Sequence, residues 1–227
     1  MEKLPSVFEE MMSDYDFKSA NKSTMERALK VVEGNAKATT GLERFIEKSN
    51  EFFKETIKIK DKYTVITHGD CWCNNFMFKY KSENSQEISK TILLDWQLST
   101  TSSPILDISY FFYSCSSKHC IDNYISYLTV YYNSLSAMLK QFGMNVDEVM
   151  TFEDLQLQWQ SYAKYGMYMA ILIIKIMLAK QEETPEIKDL LQEKEAMDIF
   201  KVDISNEQEY DERIGIIVNH MVENEFI

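Results

Sequence analysis

Two long helical stretches flanking a short run of strand-like segments predict a mainly α fold with a small β element (α+β). Three observations carry that prediction. Apolar residues recur at helical spacing before residue 63 and again after Pro104. The segment between them switches to β-branched, strand-like runs. Only 6 Gly and 3 Pro serve 227 residues, too few for a turn-rich all-β architecture. A chain of this length buries a substantial core.

Taken in order, Ser23-Thr24-Met25-Glu26 reads as a capping box that starts a helix through Ala28, Leu29, Val31 and Val32, with Gly34 as its stop. Thr40-Gly41-Leu42-Glu43 repeats the start signal. Leu42, Phe45, Ile46, Phe52, Phe53 and Ile57 then share one helical face. Strands are predicted at YTVITH from Tyr63, at FMFKY (Phe76 to Tyr80) and at TILLDW (Thr91 to Trp96), forming one small patch. KSENSQEISK is the hairpin connection between the last two. After Pro104 a helix runs from Ile121 to Phe142 and stops at Gly143. A longer one spans about Phe152 to Lys180, and two shorter ones start near Pro185 and Asn206.

The formal charge of -12 argues against nucleic acid and anionic membranes as partners, since no basic cluster offsets it. The first residues lack the basic start and apolar run of a secretory signal. GMYMAILIIKIMLA (Gly166 to Ala179) is short for a membrane span and carries Lys175, so a buried core helix is expected. Cys71, Cys73, Cys115 and Cys120 read as reduced thiols of a cytoplasmic protein. With His68 and His119 they fit no closed zinc template. The acidic stretch from Gln192 to Asp198 reads as a solvated face.

The informative stretch is VITHGDCWCNNFMFKY, followed by ILLDWQ. Phosphoryl transfer needs a carboxylate to take or orient the proton of the attacking hydroxyl, and oxygen ligands to hold magnesium against the phosphates. Asp70, Asn75 and Asp95 have those identities in that order. The hairpin from Phe76 to Trp96 is expected to return Asp95 beside Asn75. The bland readings are a turn aspartate at 70, a turn cap at Asn75, and an Asp95 that would be costly to bury unpaired. His68 suits a loop brace better than a proton shuttle. Trp72 suits core or pocket wall equally, and Trp96 is expected in the core.

HGDCWCNNFMFKY with ILLDWQLSTTSSPILDISYFF resembles the ecdysteroid kinase-like family, also called CHK kinase-like. That family belongs to the choline kinase and aminoglycoside phosphotransferase superfamily. The resemblance is close from Val65 to about Ser117. It implies a protein-kinase-like fold, ATP as co-substrate with Mg2+, and a small-molecule alcohol, such as a steroid, as acceptor. It implies Asp70 as catalytic base with His68 in the catalytic loop, Asn75 and Asp95 as magnesium ligands, and Asp107 as structural support anchoring the loop.

Trp96 stands where the family more often has Phe, and Cys71 where Leu is usual. Ser99 to Ser103 lacks the basic residue often found there. No glycine-rich loop or strand Lys paired with a helix Glu precedes Tyr63. The expectation is therefore a C-terminal lobe, as in a fragment, with the nucleotide-covering N-terminal lobe absent. Residues 1–62 form a helical segment leading in, and residues 63–227 the lobe, with catalytic loop 68–75 and metal-binding segment 93–97. The alternative is a non-catalytic remnant acting as a helical interaction module.

Overall fold

The computed structural model describes residues 15–58, 60–183 and 204–227. Helices α1 (Phe17–Ala20), α2 (Lys22–Val31) and α3 (Ala36–Lys58) come first. Strand β1 (Val65–Thr67), a 3-10 turn (Cys73–Asn75), β2 (Phe76–Tyr80), β3 (Ile88–Leu93) and β4 (Thr100–Ser102) follow. The remaining α-helices are α4 (Ile105–Cys115), α5 (Lys118–Asp122), α6 (Tyr124–Gln141), α7 (Val146–Val149), α8 (Phe152–Leu178) and α9 (Glu207–Glu223). The fold is mainly α with small antiparallel β elements, as the sequence predicts.

The core is built around α4 and α8. Thr151 caps α8, and its backbone N–H is in turn satisfied by Asp154, a reciprocal box that fixes the helix start. Gly166 allows α8 to press against α4, because a β-carbon there would collide with the backbone of Ser109. Trp159, Tyr110, Tyr113 and Tyr168 are fully buried around that seam. Each such side chain contributes roughly 1.5–3 kcal/mol by leaving water. The N-terminal helices join the same core. Phe17 stacks on Phe53 at 4.0 Å, and Asn21 donates to the Tyr168 hydroxyl at 2.8 Å. Arg27 ties α2 to α9 through Asp211 at 2.8 Å. Helix α8 is long and apolar enough to cross a membrane, yet 56% of its most apolar window is buried in the body.

Several boundaries differ from the sequence reading. Ser23 lies inside α2, whose N-cap is Asn21 without a side-chain cap bond. The Asn21 amide is spent on Tyr15 and Tyr168 instead. Val32, not Gly34, closes that helix. Thr40 is also interior, because Asn35 accepts from Lys37 and Ala38 and starts α3 a turn earlier. The helix expected from Ile121 is broken at Asn123. Along α6 only Leu128 is buried, while Val130, Met138 and the following Phe142 face solvent. Periodicity reports a face, but not whether a partner covers it. The strands form two separate two-stranded sheets rather than one patch. β2 pairs with β3, and β1 pairs with β4, a threonine- and serine-rich strand with too little apolar signal to predict. The helix start near Pro185, the stretch Gln192 to Asp198 and the Ile57 side chain lie outside the described residues; α9 starts directly after Asn206, where a helix start is expected.

Candidate active site

β1 ends at Thr67 and delivers His68, Gly69 and Asp70 into a tight bend. Gly69 has φ +86, and a β-carbon there would strike the Leu98 carbonyl, so the bend lies directly on the 94–98 turn. Asp107, in the first turn of α4, holds the bend from below. Its carboxylate accepts from the His68 N–H at 2.6 Å and the Gly69 N–H at 3.0 Å. Burial pushes the Asp107 carboxyl above its ordinary range, and those two donors work against the shift.

His68 is buried, and both its ring nitrogens are engaged. Nδ1 accepts from the Asp70 N–H at 3.3 Å. Nε2 lies 2.6 Å from the Leu94 carbonyl, which can only accept. The network therefore assigns the proton to Nε2 and leaves neither nitrogen free for proton transfer. The imidazole is a strut between the bend and the turn that follows β3.

The Asp70 carboxylate is half-buried and carries three donors. Asn75 Nδ2 reaches Oδ2 at 2.8 Å, and the Asp70 carbonyl at the same distance. Trp72 Nε1 reaches Oδ2 at 3.2 Å, and the Tyr110 hydroxyl reaches Oδ1 at 3.2 Å. Burial and the charge of Asp70 raise the Tyr110 pKa well above its usual value, so its phenol stays a donor. The sequence reading missed Tyr110, which sits on a continuous apolar helix without polar periodicity. It left Trp72 open between core and wall, but the indole does both: the ring packs on the core and its N–H orients the carboxylate.

Asp95 stands beside Asn75. Phe76 pairs with Leu93, and the Leu94 N–H donates to the Asn75 carbonyl at 2.9 Å. Leu94 is thus clamped through both its N–H and its carbonyl, and Asp95 follows in the left-handed region at φ 59. Such a backbone is uncommon outside glycine and clusters at functional turns. Asp95 is exposed, so the cost of burying it unpaired does not arise. Among the described residues its side chain accepts a hydrogen bond only from Gln97 Nε2, at 3.4 Å. Trp96 is likewise not core. It is 49% exposed, with its ring 4.8 Å from that of His68.

Asn75 has committed its amide nitrogen to Asp70, which leaves its oxygen for another partner. That oxygen and the carboxylates of Asp70 and Asp95 are hard oxygen donors, the kind that suits a cation such as Mg2+. Among the described residues no three His, Cys, Asp or Glu side chains cluster as a metal site. Burial pushes the Cys71 and Cys115 thiols up to about 12, so neither is a ready thiolate ligand.

A helical body with a bend, a hairpin and a clamped turn along one edge fits a kinase-like fold. Within that class, the chain belongs to the ecdysteroid kinase-like family, which matches over residues 2–144. The match extends well upstream of the stretch around the bend. Membership of this kinase-like family implies ATP and a divalent metal in general, and suggests a small-molecule substrate. No curated protein and no solved structure matches the chain.

Proposed function

We propose that this chain carries the catalytic lobe of a phosphotransferase that moves the ATP γ-phosphoryl group to the hydroxyl of a small-molecule alcohol. The family name makes a steroid alcohol the first acceptor to try. The observation that carries this reading is Asn75: its amide nitrogen is spent on Asp70, while its backbone carbonyl holds Leu94, the residue before Asp95. Asp70 takes the hydroxyl proton as the acceptor oxygen bonds to phosphorus and ADP leaves. Tyr110, Trp72 and Asn75 aim its two oxygens, so the carboxylate need not reorganise during transfer. His68 fixes the distance between the bend and Asp95, and Asp107 holds the bend to the body. Asn75 and Asp95 would hold Mg2+, which, when bound, neutralises phosphate charge that otherwise repels the nucleophile.

The lobe comprises residues 63–227, with residues 1–62 leading in, of which helices α1, α2 and α3 share its core. None of the described residues forms a glycine-rich hairpin over a nucleotide. Along the strand edge Ile66, Met77, Phe78, Ile92 and Trp96 are exposed, an apolar surface of the kind that marks an interface. We assign that surface to the nucleotide-covering lobe and expect the 227-residue chain alone to bind Mg–ATP weakly or not at all in calorimetry. Micromolar binding would refute this division of labour. A cytoplasmic location belongs to the same proposal, in keeping with four free thiols.

The test of the metal assignment does not need turnover. Titration with Mn2+ should selectively broaden the NMR signals of Asn75 and Asp95, and Asp95→Asn should abolish the effect. Broadening spread evenly over the acidic surface would favour the non-catalytic helical module instead.

A further inference from the structure

The helical body has a second recess, lined by none of the residues from 65 to 102. It is a cavity of about 440 Å³ between α3, α8 and the segment Glu225 to Ile227. Helix α3 presents Arg44 and Lys48 to it, four residues apart and both exposed, and α8 contributes Lys164, which is half-buried. Among the described residues none of these three cations forms an ion pair, although Glu51, Glu55 and Glu225 line the same recess.

Lys164 is the telling member. Its ammonium lies 5.0 Å from the centroid of the Phe52 ring. Burial first, and then the charges of Arg44 and Lys48, push its pKa below the ordinary lysine value. An ammonium drawn out of water normally faces a carboxylate. This one faces an arene and two further cations, in a chain whose acidic side chains outnumber basic ones by 36 to 24. Glu51, Glu55 and Glu225 line the same recess, yet among the described residues none pairs with these three cations, an arrangement such a composition does not supply by default.

We propose that this recess binds a small organic anion, with a single carboxylate or phosphate head held by Arg44, Lys48 and Lys164 and an apolar body lying along Phe52. The arginine offers a planar fork to two oxygens, and the lysines act as point charges. The three glutamates that share the recess disfavour extended polyanions such as a nucleoside triphosphate. The site is thus distinct from the phosphotransfer edge and does not depend on it.

Phenyl phosphate and phenylacetate are suitable probes, with benzyl alcohol as the uncharged control, read by calorimetry and thermal shift on the whole chain. Millimolar or tighter binding of either anion is expected: phenyl phosphate alone would identify a phosphate head, phenylacetate alone a carboxylate. Lys164→Met should weaken binding by about tenfold or more, while Asp70→Asn leaves it unchanged. The same Lys164→Met change should raise the melting temperature of the free protein, because it removes a strained cation. If that variant does not fold, Lys48→Gln and Arg44→Gln give the binding readout from exposed positions. No binding of either anion, equal binding of benzyl alcohol, or affinity indifferent to all three substitutions would overturn the proposal.

Discussion

The α4–α8 seam and the strand edge from Val65 to Ser102 are built on opposite principles. Along the seam, residues such as Trp159, Met167, Ile171 and Tyr110 are sealed from water and held by packing. Along the edge, Ile66 and Met77 face solvent, and the bend is held by a few hydrogen bonds from His68, Asn75 and Asp107. Packing gives the body its stability. Directed polar bonds give the edge a fixed geometry at little burial. A functional bend gains from that arrangement, because its oxygens must remain reachable while their positions stay fixed.

The contrast can be broken most forcefully at Gly166. Gly166→Ala puts a methyl group into the Ser109 backbone, and the helices must separate. The expected loss is about 3 kcal/mol or more, seen as a large drop in denaturation midpoint. A midpoint unchanged within error would mean the seam is looser than its packing implies.

Acid should probe the body next, through His220. Burial among Tyr113, Tyr124 and Phe226 lowers its pKa to about 4. Above pH 6.5 the imidazole is neutral in both folded and unfolded chains and contributes no pH dependence. As pH falls from 6.5 towards 4, the unfolded chain takes up the proton and the folded one does not. Stability therefore drops over that window, by roughly 2–3 kcal/mol if the shift is fully expressed. His220→Gln should flatten that part of the stability curve, and an unchanged slope would assign acid sensitivity elsewhere.

The smallest global effect is expected at the edge, where Asp107→Ala strands two backbone donors. A loss of about 1–2 kcal/mol is expected, together with faster amide exchange at His68 and Gly69. Exchange that accelerates equally along the α4–α8 seam would erase the distinction between the two regions.

Much of this was legible in the residues. FMFKY is β2 from end to end, the start of α8 falls at Phe152, and α9 starts directly after Asn206. The order Asp70, Asn75, Asp95 already suggested a return of the chain on itself, and the pairing of Phe76 with Leu93 achieves it. Capping was misread twice, at Ser23 and Thr40, because a local pattern competes with neighbouring asparagines that only the full packing ranks. Strand β4 was missed because Thr100–Ser102 carries no apolar alternation.

The sequence by itself determined the fold class, the family and the acidic, oxygen-rich character of the bend, since periodicity and local chemistry are written residue by residue. Only the tertiary structure decided that Tyr110 reaches Asp70, that Trp96 and Asp95 face solvent, and that Lys164 shares a recess with Arg44 and Lys48. Those facts join residues far apart in the chain, and distance along a sequence does not encode which surfaces finally touch.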